Sequence, residues 1–595
     1  MYDLLITNGT VVDGTGEDRF VGDIAVKDGK IVDVTRHETG ISSPAAGPDA
    51  SVNGSAVARE VMDAHGMVVT PGFVDVHTHY DGQVTWDELL EPSSQHGVTT
   101  VAMGNCGVGF APVRPGKEDW LIGLMEGVED IPGAALSEGI TWGWETFGEY
   151  LDVLDDRKLA IDVGTQIAHG AVRGYVMGDR GARNEPANSD DIQKMSDIVR
   201  EAVEAGALGV STSRTIGHRA IDGEPVPGTF AAEDELFGLG RGLAAGGGGV
   251  FELAPAGAAG LDLIAPPKEM SWMRRLSAEV GCPVTFALLE VQAQPDLWRD
   301  MMEESLQALD EGAQVFPQVA ARPFGLLVGL QTHHIFAKRP TYISLADLPI
   351  EERVARMRDP KVKAQILNEE DLPVDPTQLF DSMGAMIMEQ LGNIYVLGDP
   401  PNYEPDSSQT VAAIAAGAGV SPVEMAYDLF CEQDGHSLML LPLFNYFHGN
   451  HDVIREQLTH PQSVSGLSDG GAHCGMICDA SIPTFMITHW TRDRTRGEQL
   501  PLEWVVRKQT HDTAQLFGLG DRGTLEVGKR ADINVIDHDR LTLRAPRMAF
   551  DLPANGRRLL QDTEGYAATI AGGEVVRRNG VDTGARPGGL IRGRR

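Results

Sequence analysis

Eight short apolar segments, most of them followed by polar or helix-patterned sequence, constrain this chain more than any other feature. They lie at 73–77 (FVDVH), 99–105, 162–170, 207–213, 249–255, 283–289, 314–322 and 463–471. Short runs this apolar and bounded by turn residues read as strands buried on both faces, the habit of parallel sheets. Helical repeats separate several of them, as in DDIQKMSDIVREAVEAG, where Ile192, Met195, Ile198, Val199 and Ala202 fall at helical spacing. Eight strand-then-helix units predict an α/β chain folded as a closed (β/α)8 TIM barrel of residues 71–519, with its site at the C-terminal strand ends.

The flanks follow a different rule. Residues 1–70 and 520–580 alternate in the manner of strands, with Asn-Gly and Asp-Gly pairs that favour hairpin turns. Both ends are therefore expected to build one small composite β-sandwich domain. Within the barrel, residues 107–160 and 323–462 exceed a minimal connection, and the second stretch is expected to be a largely helical, lid-like insertion. The basic tail, 581–595, is expected to be disordered unless it docks on something.

The net charge of −37, from 86 acidic against 49 basic residues, would repel phosphates and anionic lipid, so neither nucleic acid nor a membrane is an expected partner. The five cysteines are too few and scattered for a disulfide framework. With no basic, apolar leader at the start and no apolar run of about 18 residues, the reading is a cytoplasmic enzyme, expected to be a homo-oligomer, acting on a small molecule.

At the end of the first segment, His77 and His79 project to one side of a strand, ~7 Å apart along the chain. Two imidazoles at a barrel strand's C-terminal end make a metal-ligand pair. SDGGAH, 468–473, brings Asp469 to the end of the eighth strand, which neighbours the first in a closed barrel, so His77, His79 and Asp469 can converge on one ion. His169 and Arg173 close the third segment and are candidate substrate contacts, the arginine as a clamp for a carboxylate. Ser213, Arg214 and His218 occupy a long polar loop after the fourth segment, and His473 follows Asp469 by four; these too are candidate substrate contacts. His333 and His334 are expected in the lid, with His448 and His451 in further loops. Phosphate-binding, dinucleotide-binding and serine-elbow signatures are absent from the sequence.

PGFVDVHTHYD together with GTLEVGKRADINVID resembles the metal-dependent amidohydrolase superfamily, and HGVTTVAMGNCGVGFAP with GLSDGGAH resembles its N-acyl-D-amino-acid deacylase (D-aminoacylase) branch. The resemblance spans nearly the whole chain. It implies a barrel with a small β-sandwich, and amide hydrolysis by metal-activated water. His77 and His79 match the first-strand ligands, Cys106 the thiolate ligand of that branch, and Asp469 the carboxylate that serves as ligand and general base. Cys106 also reads as a small buried residue in a Gly-rich turn. The histidines that the branch carries on its fifth and sixth strands are missing; Glu252 and Glu290 stand in those stretches as candidate carboxylate ligands. A mononuclear Zn2+ site, or one for another divalent metal, is the expectation. A metal-dependent decarboxylase or C–C or cyclic-bond hydrolase on the same barrel is the alternative, and a lapsed scaffold protein the third reading.

Overall fold

A computed structural model describes the chain apart from residues 38–50, 53–54, 57, 259, 261, 263, 375–378 and 594–595. All eight expected strands form: β1 (Phe73–Asp75), β2 (Val98–Met103), β3 (Asp162–Thr165, extended by Ile167–Ala168), β4 (Gly209–Ser213), β5 (Val250–Ala254), β6 (Val284–Ala287), β7 (Val315–Val319) and β8 (Val464–Ser465). Every successive pair is parallel. The circuit is joined beyond the ends of β8 and β1 by a parallel bridge between Thr78 and Gly470, where Asp469 donates its N–H to the His77 carbonyl at 3.1 Å and His79 donates to Gly470 at 2.8 Å. Strands flanked on both faces must be apolar on both, and β2 (VTTVAM) is buried at every residue.

The helix Ser189–Ala205 shows why the covering layer forms where it does. Asn188 caps it in a reciprocal box with Asp191, and Met195, Val199, Ala202 and Val203 are buried against the barrel. Ile192 and Ile198, at the edge of the expected apolar stripe, are half-buried and pack on the same core.

The two termini share a nine-stranded sheet, in which Val68–Pro71 pairs antiparallel with Ile533–Ile536. Leu4, Ile6, Ile24, Val26, Ile533, Val535 and Ile570 form its core. Asp28-Gly29 makes the expected tight turn, both residues taking positive φ (51° and 73°) between strands Phe20–Lys27 and Lys30–Arg36. Asn8-Gly9 does not. It lies inside the single strand Tyr2–Val11 and shifts the register against its partner strand between Ile6 and Gly9, so the left-handed Asn8 (φ 60°) serves a bulge.

The insertion folds around a three-stranded antiparallel sheet of Gly325–Val328, Met439–Pro442 and Tyr395–Val396. Helices including Ile350–Met357, Pro360–Asn368 and Pro422–Phe430 close over it. Its own core, with Val328, Phe336, Met357, Ile394, Phe430 and Leu441, takes in Met476 and Ile477 from the segment following Asp469. The insertion is thereby packed on the loop that carries the eighth-strand carboxylate.

The tail is docked over its described residues, to Gly593, the second of the two outcomes expected for it. Val163 donates to Gly589 and Ile591 donates to Val163, so the tail runs beside β3, while Arg592 reaches Asp152 and Asp155. Asp162 ties the arrangement together, accepting from the Gly589 N–H (3.0 Å) and pairing with Arg522 (2.7 Å) and Arg530 (2.9 Å). Removing one partner of a buried ion pair strands the other charge, so Asp162→Ala is expected to cost about 3–5 kcal/mol, read as a lower urea midpoint.

Candidate metal centre

The strand ladder ends at Asp75, and the chain continues extended through His77 and His79, both 1% exposed. The buried Asp75 carboxylate locks this turn, accepting from the His77 N–H at 3.3 Å and from the Ser468 hydroxyl. Burial, partly offset by those donors, pushes it up to about 7.

The two rings meet at 5.4 Å between centroids. His77 Nδ1 donates to Gln318 Oε1 at 2.7 Å, which leaves its Nε2 with the lone pair. That Nε2 stands 3.4 Å from Asp469 Oδ1 and 3.4 Å from Cys106 Sγ. His79 directs Nε2 to the same Asp469 oxygen at 3.8 Å and turns Nδ1 towards Glu129 Oε1 at 3.4 Å. One ligand atom from each of His77, His79 and Cys106 lies within 4.8 Å of the others, the span of a single metal site. Two imidazoles, a thiol and a carboxylate are the donor types that zinc takes.

The turns that deliver these groups are strained. Gly104, Cys106 and Gly107 all take positive φ (80°, 55° and 70°), a conformation a cysteine rarely adopts. A Cβ on Gly107 would sit 2.6 Å from the Ser213 backbone nitrogen, so only glycine fits there. After β8, Leu467, Asp469 and His473 are left-handed too (59°, 49° and 52°). Non-glycine residues held this way cost free energy and cluster at functional sites.

Electrostatically the mouth is rich in buried acid. Burial raises Glu252 to about 8, against a lowering hydrogen bond from Cys106, and raises Glu129 to about 7, against the lowering charge of His79. Burial also opposes ionisation of Asp469, but the His79 hydrogen bond and the charges of His77 and His473 outweigh it and hold that carboxyl well below its usual range. Burial pushes His77 down to about 4, whereas Glu129 and Asp469 overcome burial at His79 and raise it to about 9. Glu129 Oε1 and Glu252 Oε1 are buried without a hydrogen-bond donor. Unsatisfied carboxyl oxygens beside imidazole nitrogens and a thiol sulfur are a donor set that suits a cation, so these residues fit a metal ion.

Several expected site residues are placed elsewhere. Because β3 ends at Ala168 and a helix starts at His169, both His169 and Arg173 turn away from the cluster: His169 binds Thr212 (2.8 Å) and Glu235 (2.9 Å), and Arg173 binds the same Glu235 (2.9 Å). Neither is left to meet substrate. Arg214 is likewise engaged, paired with Glu269 (3.1 Å) and donating to the Ala231 carbonyl (2.8 Å), so it props the loop it belongs to. Glu290 lies three residues past the end of β6, in a loop held by Asn445, and pairs with His448 at 3.1 Å rather than with the imidazoles. His334 is buried among Tyr342, Phe336 and Phe430, inside the insertion's core.

Other residues stay at the centre. Glu252 on β5 accepts the Cys106 N–H at 2.9 Å and lies 3.9 Å from His77 Nδ1. His473 Nε2 lies 3.7 Å from Asp469 Oδ2 and 3.8 Å from Glu129 Oε2. Ser213 contacts His218 Nδ1 at 3.0 Å, and the charges of His473, His79 and Asp469 all bear on His218. Sequence reading passed over Glu129 and Gln318. Glu129 ends the helix Glu118–Glu129 one turn after the buried Met125, and an acid on the apolar face of an amphipathic helix was its only signal. Gln318 is a buried polar residue in an otherwise apolar strand.

Residues 60–577 match the amidohydrolase family (Amidohydro_3). D-aminoacylase of Alcaligenes xylosoxydans xylosoxydans is 26% identical across 90% of this chain and 88% of its own length. N-acyl-D-aspartate deacylase of the same organism is 28% identical across 99% and 95%. The structure of N-acyl-D-glutamate deacylase from Bordetella bronchiseptica, complexed with zinc and a phosphonate inhibitor that mimics the tetrahedral intermediate, shares the fold, with a TM-score of 0.62 at 23% identity over 99% of each chain. An outer residue that orients a histidine ligand is worth ~10–100-fold in metal affinity. Gln318→Leu, which keeps the volume and removes the acceptor for His77, is expected to weaken divalent-metal binding by about that factor in chelator competition, with the circular dichroism unchanged.

Proposed function

The chain belongs to the amidohydrolase family and is a metal-dependent hydrolase of amide bonds, and from that premise we propose that it removes the acyl group from N-acyl-D-amino acids or closely related small-molecule amides. The observation that carries this reading is the convergence of His77 Nε2, His79 Nε2, Asp469 Oδ1 and Cys106 Sγ at the barrel mouth. These four residues would hold one zinc-class ion. Such an ion, when bound, polarises a carbonyl and brings the pKa of bound water down to ~7.

The protein's own part follows from the geometry. Asp469 presents Oδ1 to the two imidazoles and Oδ2 to His473, so one carboxylate can touch both the metal set and the substrate side. It acts as general base, taking a proton from water and passing it to the departing amine. Gln318 and Glu129 orient the imidazoles, and Glu252 holds the strained Cys106 turn. Glu252 stands where the fifth-strand histidine would, with Oε2 taken by the Cys106 N–H and Oε1 3.9 Å from His77 Nδ1, the nitrogen that faces Gln318, so the reading is one ion at the barrel mouth held by the other four residues. Ser213, His218 and His473 line the approach and contact substrate. The family membership favours hydrolysis over decarboxylation or a scaffold role.

Elemental analysis is expected to find that Asp469→Ala holds about one zinc-class ion per chain fewer than the unmodified protein. With a panel of N-acyl-D-amino acids, the enzyme should release amine and acid in equal amounts. Asp469→Asn removes the base, and kcat should fall by ~10²–10⁴-fold. Release of CO2, or full activity in the metal-free protein, would overturn the reading.

A further inference from the structure

Outside the barrel mouth, the described residues contain one more group of histidine and acid with metal-binding spacing: Glu404 and His451 from the insertion, and His489 from the segment after β8. It shares no residue with the centre above. We propose that these three residues form a second divalent-metal site, zinc-class in its chemistry, that pins the insertion to the barrel.

The geometry carries the proposal. His451 Nδ1 and His489 Nε2 are 3.0 Å apart, His489 Nε2 and Glu404 Oε2 3.3 Å, and His451 Nδ1 and Glu404 Oε2 3.9 Å. A point equidistant from these three atoms, in their plane, lies about 2.0 Å from each, the length of zinc bonds to imidazole nitrogen and carboxylate oxygen (~2.0–2.2 Å).

Each donor is oriented by a further partner, as metal ligands are. His451 Nε2 donates to the Tyr403 carbonyl at 2.8 Å, which fixes the tautomer and leaves Nδ1 with its lone pair facing the group. Glu404 Oε1 accepts the His451 N–H at 2.7 Å and the Arg494 guanidinium at 3.1 Å, leaving Oε2 to face the histidines, with one further Arg494 contact at 3.2 Å. Arg494 is shared with Asp452 at 2.7 Å, so its charge is not spent on Glu404 alone. The His489 ring is held by stacking on Phe485, with 4.6 Å between centroids and 13° between planes. His489 begins the π-helical turn His489–Asp493, a feature often found at functional sites.

Access is provided for. His451 and Glu404 are buried, while His489 borders a cavity of about 300 Å³ that is also lined by Tyr403, Glu404, Phe485 and Arg496. Three protein ligands with one side open to a cavity leave a coordination position for water or a small anion. On binding, His489 Nε2 must present its lone pair in place of the hydrogen bond to His451 Nδ1, so a neutral His489 ring carries its proton on Nδ1 instead and no net proton is released.

The test is metal content after equilibrium dialysis against micromolar ZnCl2, with Asp469→Ala, His489→Gln and His489→Ala beside the unmodified protein. The unmodified chain is expected to take up one ion more than the barrel centre alone accounts for. Asp469→Ala should lose the barrel ion and keep this one, whereas both His489 variants should lose this one and keep the other. Loss of a direct ligand should weaken binding by about 100-fold or more, since loss of an orienting neighbour already costs ~10–100-fold. Zinc should also raise the melting temperature of Asp469→Ala and leave that of Asp469→Ala/His489→Gln unchanged. Equal ion counts with and without His489, or zinc stabilisation that survives its replacement, would overturn the proposal and leave a proton-sharing network in its place. If the His489 variants fail to fold, X-ray absorption of zinc-loaded Asp469→Ala decides: nitrogen and oxygen ligands with two imidazoles support the site, and any other ligand set overturns it.

Discussion

The pairing of residues 77–79 with 469–470 is the contact on which the site depends. Those few backbone hydrogen bonds join the circuit of parallel strands, and they also set the register that places two imidazoles opposite one carboxylate. A slip of one residue would turn His77 and His79 out of the mouth, because side chains alternate along an extended chain. The left-handed backbone at Leu467 and Asp469 is the cost of that arrangement, and the packing of Met476 and Ile477 into the insertion's core helps to hold it.

Charge is the second constraint. Asp75, Asp81, Glu129, Glu252 and Asp469 are all buried around two histidines. Burial pushes four of these carboxyls upward, and of the five only Asp469, facing His77, His79 and His473, is shifted downward. Buried acid in excess of buried base is costly in an apolar protein interior and favourable around a cation. Glu404 is balanced differently, its one carboxylate being shared between Arg494 and two histidines.

Much of this was legible in the chain. Short apolar runs bounded by turn residues suit strands covered on both faces, and seven of the eight end within three residues of the expected bounds, whereas the eighth, expected over 463–471, is only Val464–Ser465. The first-strand histidines and Asp469 were legible because period-two alternation and barrel closure together say which side chains can meet. The departures have a common physical basis: past a strand end, a side chain's direction is set by its partners. β3 and β6 stop earlier than their apolar runs, which turns His169, Arg173 and Glu290 to other partners, and Arg214, the first residue of the loop after β4, is drawn to Glu269. Asn8-Gly9 failed in the same way: its local preference for positive φ was right, and its neighbours decided that the bend would be a bulge.

The sequence by itself determined the barrel, the β-rich pairing of the two ends, and the residue types gathered at one strand junction, because these follow from periodicity and from donor chemistry that no packing can change. Only the tertiary structure decided that Cys106 reaches His77, that Gln318 and Glu129 orient the imidazoles, that Glu252 supports the cysteine turn while Glu290 pairs with His448, and that the basic tail lies along β3. Those contacts join residues tens to hundreds of positions apart, and a chain's local pattern carries no information about which distant side chain will arrive within hydrogen-bonding distance.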